Sequence, residues 1–345
     1  MRIIIDAMGG DHAPDDIVRG AAETADLIDH EIVLVGDEAR VNAALDAADF
    51  EYDRSKLSIL HAPEVIETGE SPVKAVRRKT ESSLVKGLEA LKNGEGDLFL
   101  SAGNSGAIMA GGIFILGRIE GFERPAICSA YPILETGATS ILIDSGANAE
   151  LRAGNLLEFA VMGSIYANSV LGIESPSVGL VNMGTEPGKG SAMLKEAYGL
   201  LTKAKEEGLV PGFLGNVEAR DVPLGICDVI VCDGLVGNII LKMTEGMALS
   251  ISHLIRKKFT EGIIPKMGAV LLNNKLMELK KAFDYQEYGG APVLGVKGAV
   301  VKMHGSTDAK GVMKSIARAI PFMENRVVEN IGKSMAEISK IERNE

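Results

Sequence analysis

Five times in this 345-residue chain an apolar run stops at a cluster of Gly, Asn, Asp and Ser. The runs are Asp97-Leu-Phe-Leu-Ser-Ala-Gly-Asn-Ser-Gly106, Ser140-Ile-Leu-Ile-Asp-Ser-Gly-Ala-Asn148, Val178-Gly-Leu-Val-Asn-Met-Gly-Thr-Glu186, Gly212-Phe-Leu-Gly-Asn-Val-Glu-Ala-Arg-Asp221 and Asp228-Val-Ile-Val-Cys-Asp-Gly-Leu-Val-Gly-Asn238. Short β-branched runs without alternation suit strands buried on both faces, as in a parallel sheet covered by helices. In such sheets ligands sit beyond the carboxyl ends of the strands. Gly, Asn and Asp are also ordinary turn residues, but five such clusters exceed what turning the chain requires. The expectation is a three-layer αβα fold with a largely parallel, doubly wound sheet and a ligand site in its strand-end loops.

The remaining pattern fills in that architecture. It predicts strands over 2–6, 31–35 and 57–61, helices over 15–25 and 41–47, and one long helix from Ser71 to about 93. Ser71 can cap that helix and Pro72 suits its first position. Further helices are expected over 107–116, 151–168 and 191–207, with strands returning over 292–296 and 299–303. A helix follows Asp308, and 331–345 reads as a frayed, charged tail. No Pro/Ser-rich linker interrupts the chain, so 1–345 reads as a single α/β domain of two interleaved lobes. Within it, 246–283 reads as a helical projection.

Charge and composition exclude several functions. A net charge of -11 argues against nucleic-acid binding, and no apolar run approaches membrane-span length. The start Met1-Arg-Ile-Ile-Ile-Asp6 lacks the order of a signal peptide, and Cys128, Cys227 and Cys232 lack metal spacing, so a reduced, cytoplasmic setting is expected. Neither Gly-x-Ser-x-Gly nor His-Glu-x-x-His occurs, and no metal or cofactor is expected.

Candidate site residues follow from the loops. Asp6, Gly9, Gly10 and His12 form a polar turn after the first strand. Ser101, Asn104, Ser105 and Gly106 stand at the start of a helix, where backbone N–H groups favour anions. Asn104, Asn148, Asn216 and Asn238 carry amides that donate to an oxyanion or phosphate without adding negative charge. Asp144 and Asp233 have an ordinary reading as Asx-turn residues, bonding nearby backbone N–H groups, beside a ligand role. Lys189 lies in a Gly-rich loop that lacks Walker A spacing. Lys302 and His304 share one face of a strand and precede Ser306, so they can converge on one ligand. Lys74, Arg77, Arg78 and Lys79 form a basic helix face, either solvated or a docking surface for an acidic partner.

The opening string Met1-Arg-Ile-Ile-Ile-Asp-Ala-Met-Gly-Gly-Asp-His-Ala-Pro14 resembles the start of the bacterial phosphate acyltransferases of phospholipid synthesis, the PlsX family. Ser101–Ala107, Arg124-Pro125, Asp144–Asn148, Gly215–Asp221, Cys232–Ile239, Tyr288–Pro292 and Lys302–Asp308 resemble further signatures of that family, in its order. Ser105, Ala219 and Met183-Gly-Thr-Glu186 depart from its commoner residues. The resemblance implies a fold like that of isopropylmalate dehydrogenases and phosphotransacetylases. It also implies a homodimer in which inorganic phosphate attacks the thioester of acyl–acyl carrier protein. The catalytic candidates are then His304, as acid for the leaving thiolate, with Lys302, Asn104 and His12. The other reading is an NAD(P)-dependent, metal-assisted decarboxylating dehydrogenase of the same fold group.

The apolar segment Ile263-Ile-Pro-Lys-Met-Gly-Ala-Val-Leu-Leu272 is flanked by Arg256-Lys-Lys258 and by Lys275 through Lys281. It is expected either to close a dimer or to rest on a membrane surface. At a membrane surface, the resemblance implies, a lipophilic product would meet a downstream, membrane-bound glycerol-3-phosphate acyltransferase.

Overall fold

The structure, a computed structural model, describes residues 1–133, 135–272, 274 and 289–343. Its strands are β1 (Arg2–Asp6), β2 (Glu31–Gly36), β3 (Leu57–His61), β4 (Leu98–Ser101), β5 (Ala126–Pro132), β6 (Thr139–Ile143), β7 (Val178–Asn182), β8 (Phe213–Glu218), β9 (Val229–Val231), β10 (Ala291–Leu294) and β11 (Ala299–Lys302). The helices are α1 (Asp15–Ala25), α2 (Glu38–Asp46), α3 (Pro72–Arg78), α4 (Ser83–Lys92), α5 (Ser105–Gly111), α6 (Ala153–Leu171), α7 (Ala192–Glu206), α8 (Gly234–Thr260), α9 (Ile263–Leu271), α10 (Ala309–Glu324) and α11 (Val327–Arg343). All five polar-ended runs are strands, namely β4, β6, β7, β8 and β9.

One 11-stranded sheet carries them in the order β3-β2-β1-β4-β11-β10-β5-β6-β9-β7-β8. Pairing is antiparallel only at β11–β10, β10–β5 and β5–β6. The parallel set β3-β2-β1-β4-β11 therefore runs opposite to the parallel set β6-β9-β7-β8. Successive strand residues face opposite layers. Ile3 and Ile5 pack in the core with Ile17 and Val18 of α1, whereas Ile4 packs on the other face with Leu84 and Leu88 of α4. All are essentially fully buried, each contributing about 1.5–3 kcal/mol by removal from water. Both faces being covered explains why these runs do not alternate.

Two expectations change. The helix from Ser71 to about 93 is two helices, because Lys79 ends α3 with non-helical backbone and Ser82 caps α4. The Ser82 hydroxyl accepts from the Val85 N–H and donates to the Lys79 carbonyl, so the polar stretch between them turns the chain. The supposed tail is α11, whose Ile331, Ile338 and Ile341 are fully buried, and the helix packs on α6 and α7. Their spacing of seven and three keeps them on one helix face.

Helix α8 is 27 residues long, and α9 packs against it. No helix among the described residues is long and apolar enough to cross a membrane. The basic run from Lys275 to Lys281, and Tyr288, lie outside the described residues.

Candidate active site

A cleft of about 540 Å³ opens where the two oppositely directed strand sets meet. The loop after β4 brings Gly103 and Ser105 to it, and the end of β11 brings Lys302 and His304. The loop after β6 brings Ser145 to Ala147, and the first turns of α8 bring Asn238, Lys242 and Glu245. Three of the five polar loops thus share the cleft. The other two do not. At the far edge of the sheet, Asn182 donates to the Asn216 side chain and the Lys189 carbonyl, and Asn216 donates to the Glu186 carbonyl. Neither Asn216 nor Lys189 lines the cleft, and the Lys189 ammonium stands 3.9 Å from Glu186.

Short polar side chains hold these loops in shape. Asn104 caps α5 by accepting from the Ala107 N–H, and its amide donates to the carbonyls of Glu67, Thr68 and Glu70 at 3.0–3.2 Å. That amide is spent on the 67–70 segment. What the loop offers the cleft is backbone and Ser105. Asn148 likewise donates to the Pro125 carbonyl and to Asp144. The Asp144 carboxylate accepts from the N–H groups of Ile127, Gly146, Ala147 and Asn148, knotting the β6 loop to β5. Burial raises its pKa, against those hydrogen bonds. Of the four asparagines, Asn238 alone lines the cleft, and its amide has no hydrogen-bond partner among the described residues.

The first loop sits behind the cleft. Asp6 is buried, accepts from the Ser101 hydroxyl at 2.7 Å, and has its pKa raised by burial. A Cβ on Gly9 would sit 2.7 Å from the Gly103 nitrogen, so only glycine lets the 6–12 loop approach the 101–106 loop. Gly10 (φ 112°) turns the chain there, and Gly106 packs against Pro72. His12 is exposed and does not line the cleft. Asp233 caps α8 by accepting from the Val236 N–H.

The perturbed ionisable groups of the cleft lie between β11 and α8. Burial lowers the pKa of Lys302, and the positive charge of Lys242 lowers it further. Burial, then Lys242 and Lys302, push His304 below the usual histidine range, with Glu245 and Asp11 opposing. At neutral pH the imidazole is uncharged. The Ser306 N–H donates to Nδ1 at 3.2 Å, which assigns the ring proton to Nε2. Lys242 pairs with Glu245 at 2.7 Å. Sequence reasoning missed both α8 residues, since an i,i+3 ion pair on a helix reads as solvated surface. In the proposed docking face, Arg77 lies over the Phe114 ring at 5.1 Å, and Lys79 is occupied by Glu70 and the Val65 carbonyl. Lys74, Arg77 and Arg78 remain exposed.

A family described as "Fatty acid synthesis protein" matches residues 1–330. The chain is 46% identical over 338 residues to the phosphate acyltransferase of Alkaliphilus oremlandii, covering 98% of each chain. It is 44% identical over 344 residues to that of Clostridioides difficile, covering 100% of this chain and 99% of that one. In fold it is similar to a phosphotransacetylase from Streptococcus pyogenes, with a TM-score of 0.60 and 17% identity over 95% of this chain and 94% of that one. The chain belongs to the fatty acid synthesis protein family, the bacterial phosphate acyltransferases, and is an acyltransferase enzyme.

Proposed function

We propose that the chain transfers a fatty acyl group from acyl–acyl carrier protein to inorganic phosphate, without a covalent enzyme intermediate. The observation that carries this is the meeting of Lys242, Lys302 and the His304 imidazole in one cleft rimmed by the backbone of the β4 and β6 loops. Phosphate is seated by the Lys242 and Lys302 ammoniums beside the start of α5. One of its oxygens adds to the thioester carbonyl carbon. The oxyanion is met by the His304 Nε2–H and the Asn238 amide. The C–S bond then breaks and the thiolate takes a proton from Lys302, whose lowered pKa eases that transfer. His304, uncharged, serves as a donor to the oxyanion rather than as the acid. Membership in an acyltransferase family removes the support for a decarboxylating dehydrogenase. Lys74, Arg77 and Arg78 suit the acidic carrier. The exposed Ile264 and Leu271 of α9 (83% and 85% accessible) suit a second copy or a membrane surface, from which product would pass to a membrane-bound glycerol-3-phosphate acyltransferase. The test is incubation of purified enzyme with acyl–carrier protein and labelled phosphate. Acyl phosphate detected directly, in step with free carrier thiol, is expected; thiol release without acyl phosphate would overturn the reading.

A further inference from the structure

A second concavity, about 530 Å³, lies outside the reaction cleft and is lined by Arg118, Arg124 and Arg152 around Glu123. Two of the guanidiniums are anchored to that one residue. The Glu123 carbonyl accepts from Arg118 at 2.7 Å, and its carboxylate holds Arg152 at 2.9–3.0 Å. Glu123 is itself fixed, because its N–H donates to the buried Glu158 and its carboxylate accepts from Asn155. Arg124, the next residue, pairs with no carboxylate among the described residues. Three guanidiniums against one lining carboxylate leave a positive hollow in which Arg118 and Arg152 are already held by Glu123. Guanidinium forks match phosphate oxygens two at a time, which lysines cannot do.

The position of this hollow says which phosphate it fits. Arg124 stands three residues before Ile127, and Arg152 three residues after Ala149; Ile127 and Ala149 both line the reaction cleft. Three residues of chain span at most about 11 Å. A pantetheine arm is longer than that, so one end can lie in each cavity. Basic surface also continues toward α3, since Arg118 lies four residues beyond Phe114, whose ring carries Arg77.

We propose that the arginine hollow seats the phosphodiester at the root of the donor's arm, a phosphopantetheine-type group on an acidic protein, while its thioester end enters the reaction cleft. This rests on the carrier-borne donor proposed above. The test compares wild type with Arg124→Gln and with Arg118→Gln/Arg124→Gln. Kinetics are measured on acyl–carrier protein and on acyl-pantetheine, which keeps the thioester but lacks the phosphate. Calorimetry with 4′-phosphopantetheine, pantetheine and inorganic phosphate reads binding without turnover. The expected result is a KM for acyl–carrier protein raised tenfold or more in the double variant, with kcat within twofold and acyl-pantetheine kinetics unchanged. Wild type should bind 4′-phosphopantetheine more tightly than pantetheine, and both variants should lose that preference. Parallel losses on both donors, an unchanged carrier KM, or a hollow that takes inorganic phosphate but shows no preference for the phosphorylated arm would overturn the assignment. If wild type does not turn over acyl–carrier protein at all, the donor reading fails, and calorimetry still decides the hollow.

Discussion

Alanine at Gly237 and alanine at Gly246 place the same methyl group on the same helix, α8, and should move stability in opposite directions. Each gains up to about 1 kcal/mol of helix propensity over glycine. At Gly246 nothing lies within 4 Å of the added Cβ, so that gain should be realised. At Gly237 the Cβ would overlap the Asp144 carbonyl oxygen and lie 3.0 Å from the Cys232 sulfur. The carbonyl cannot retreat freely, because the Asp144 carboxylate is bonded by the N–H groups of its own loop and of β5. The overlap must be relieved by lifting α8, at about 3 kcal/mol, the upper end for overpacking. The net loss is then about 2 kcal/mol. Unfolding entropy of about 2 cal/mol/K per residue gives about 0.7 kcal/mol/K for the chain, so Gly237→Ala should lower Tm by about 3 °C and Gly246→Ala should raise it by about 1 °C. Scanning calorimetry measures both. Gly237→Ala should also raise the phosphate KM, since Asn238 and Lys242 move with the helix. Shifts of the same sign in both variants would refute the claim that close approach to the Asp144 loop fixes α8.

Lys302→Met should lower kcat by about two to three orders of magnitude, and the wild-type rate should fall in alkali below the ordinary lysine range, because the lowered pKa gives up the proton early. An NMR titration of the His304 ring should show a midpoint below about 6.5, the ordinary histidine value, because burial and the neighbouring lysines disfavour its charged form; a midpoint above that value would contradict an uncharged His304. Asn104→Ala leaves three carbonyls and a helix N-terminus without their partner, so urea unfolding should show a loss of about 2 kcal/mol with the slope unchanged. A variant with wild-type stability and much slower turnover would instead make Asn104 a direct ligand. Leu271→Glu should abolish liposome sedimentation without changing the oligomeric state if α9 meets a membrane, whereas a smaller species than wild type in analytical ultracentrifugation would place α9 at a contact between copies.

The five strands were legible because two-sided burial removes alternation, and that pattern survives any later packing detail. The break at Lys79–Ser82 was harder, since Val76 and Leu84 both fit one helical face; only the Ser82 cap marks it. The isoleucines of α11 were hidden among charges, and their burial depends on α6 and α7, far away in sequence. In the site, loop membership was readable but the destination of each amide was not. Asn104, Asn148, Asn216 and Asn238 look equivalent in sequence, yet three of them hold loops and one lines the cleft. Lys242 and Glu245 left no local mark, because only the crossing of α8 over the end of β11 brings them to Lys302.

Helix α8 also joins two regions mechanically. Its 27 residues make a rod about 40 Å long. Its first turns wall the cleft, and its distal end packs with α9. A loop absorbs a push, whereas a rod passes it on as tilt. A tilt of about 3° about one end displaces the other by about 2 Å over that length, comparable to the tolerance of a lysine seated on an anion. Whatever rests on the outer half of α8 therefore bears on the spacing between Lys242 and Lys302.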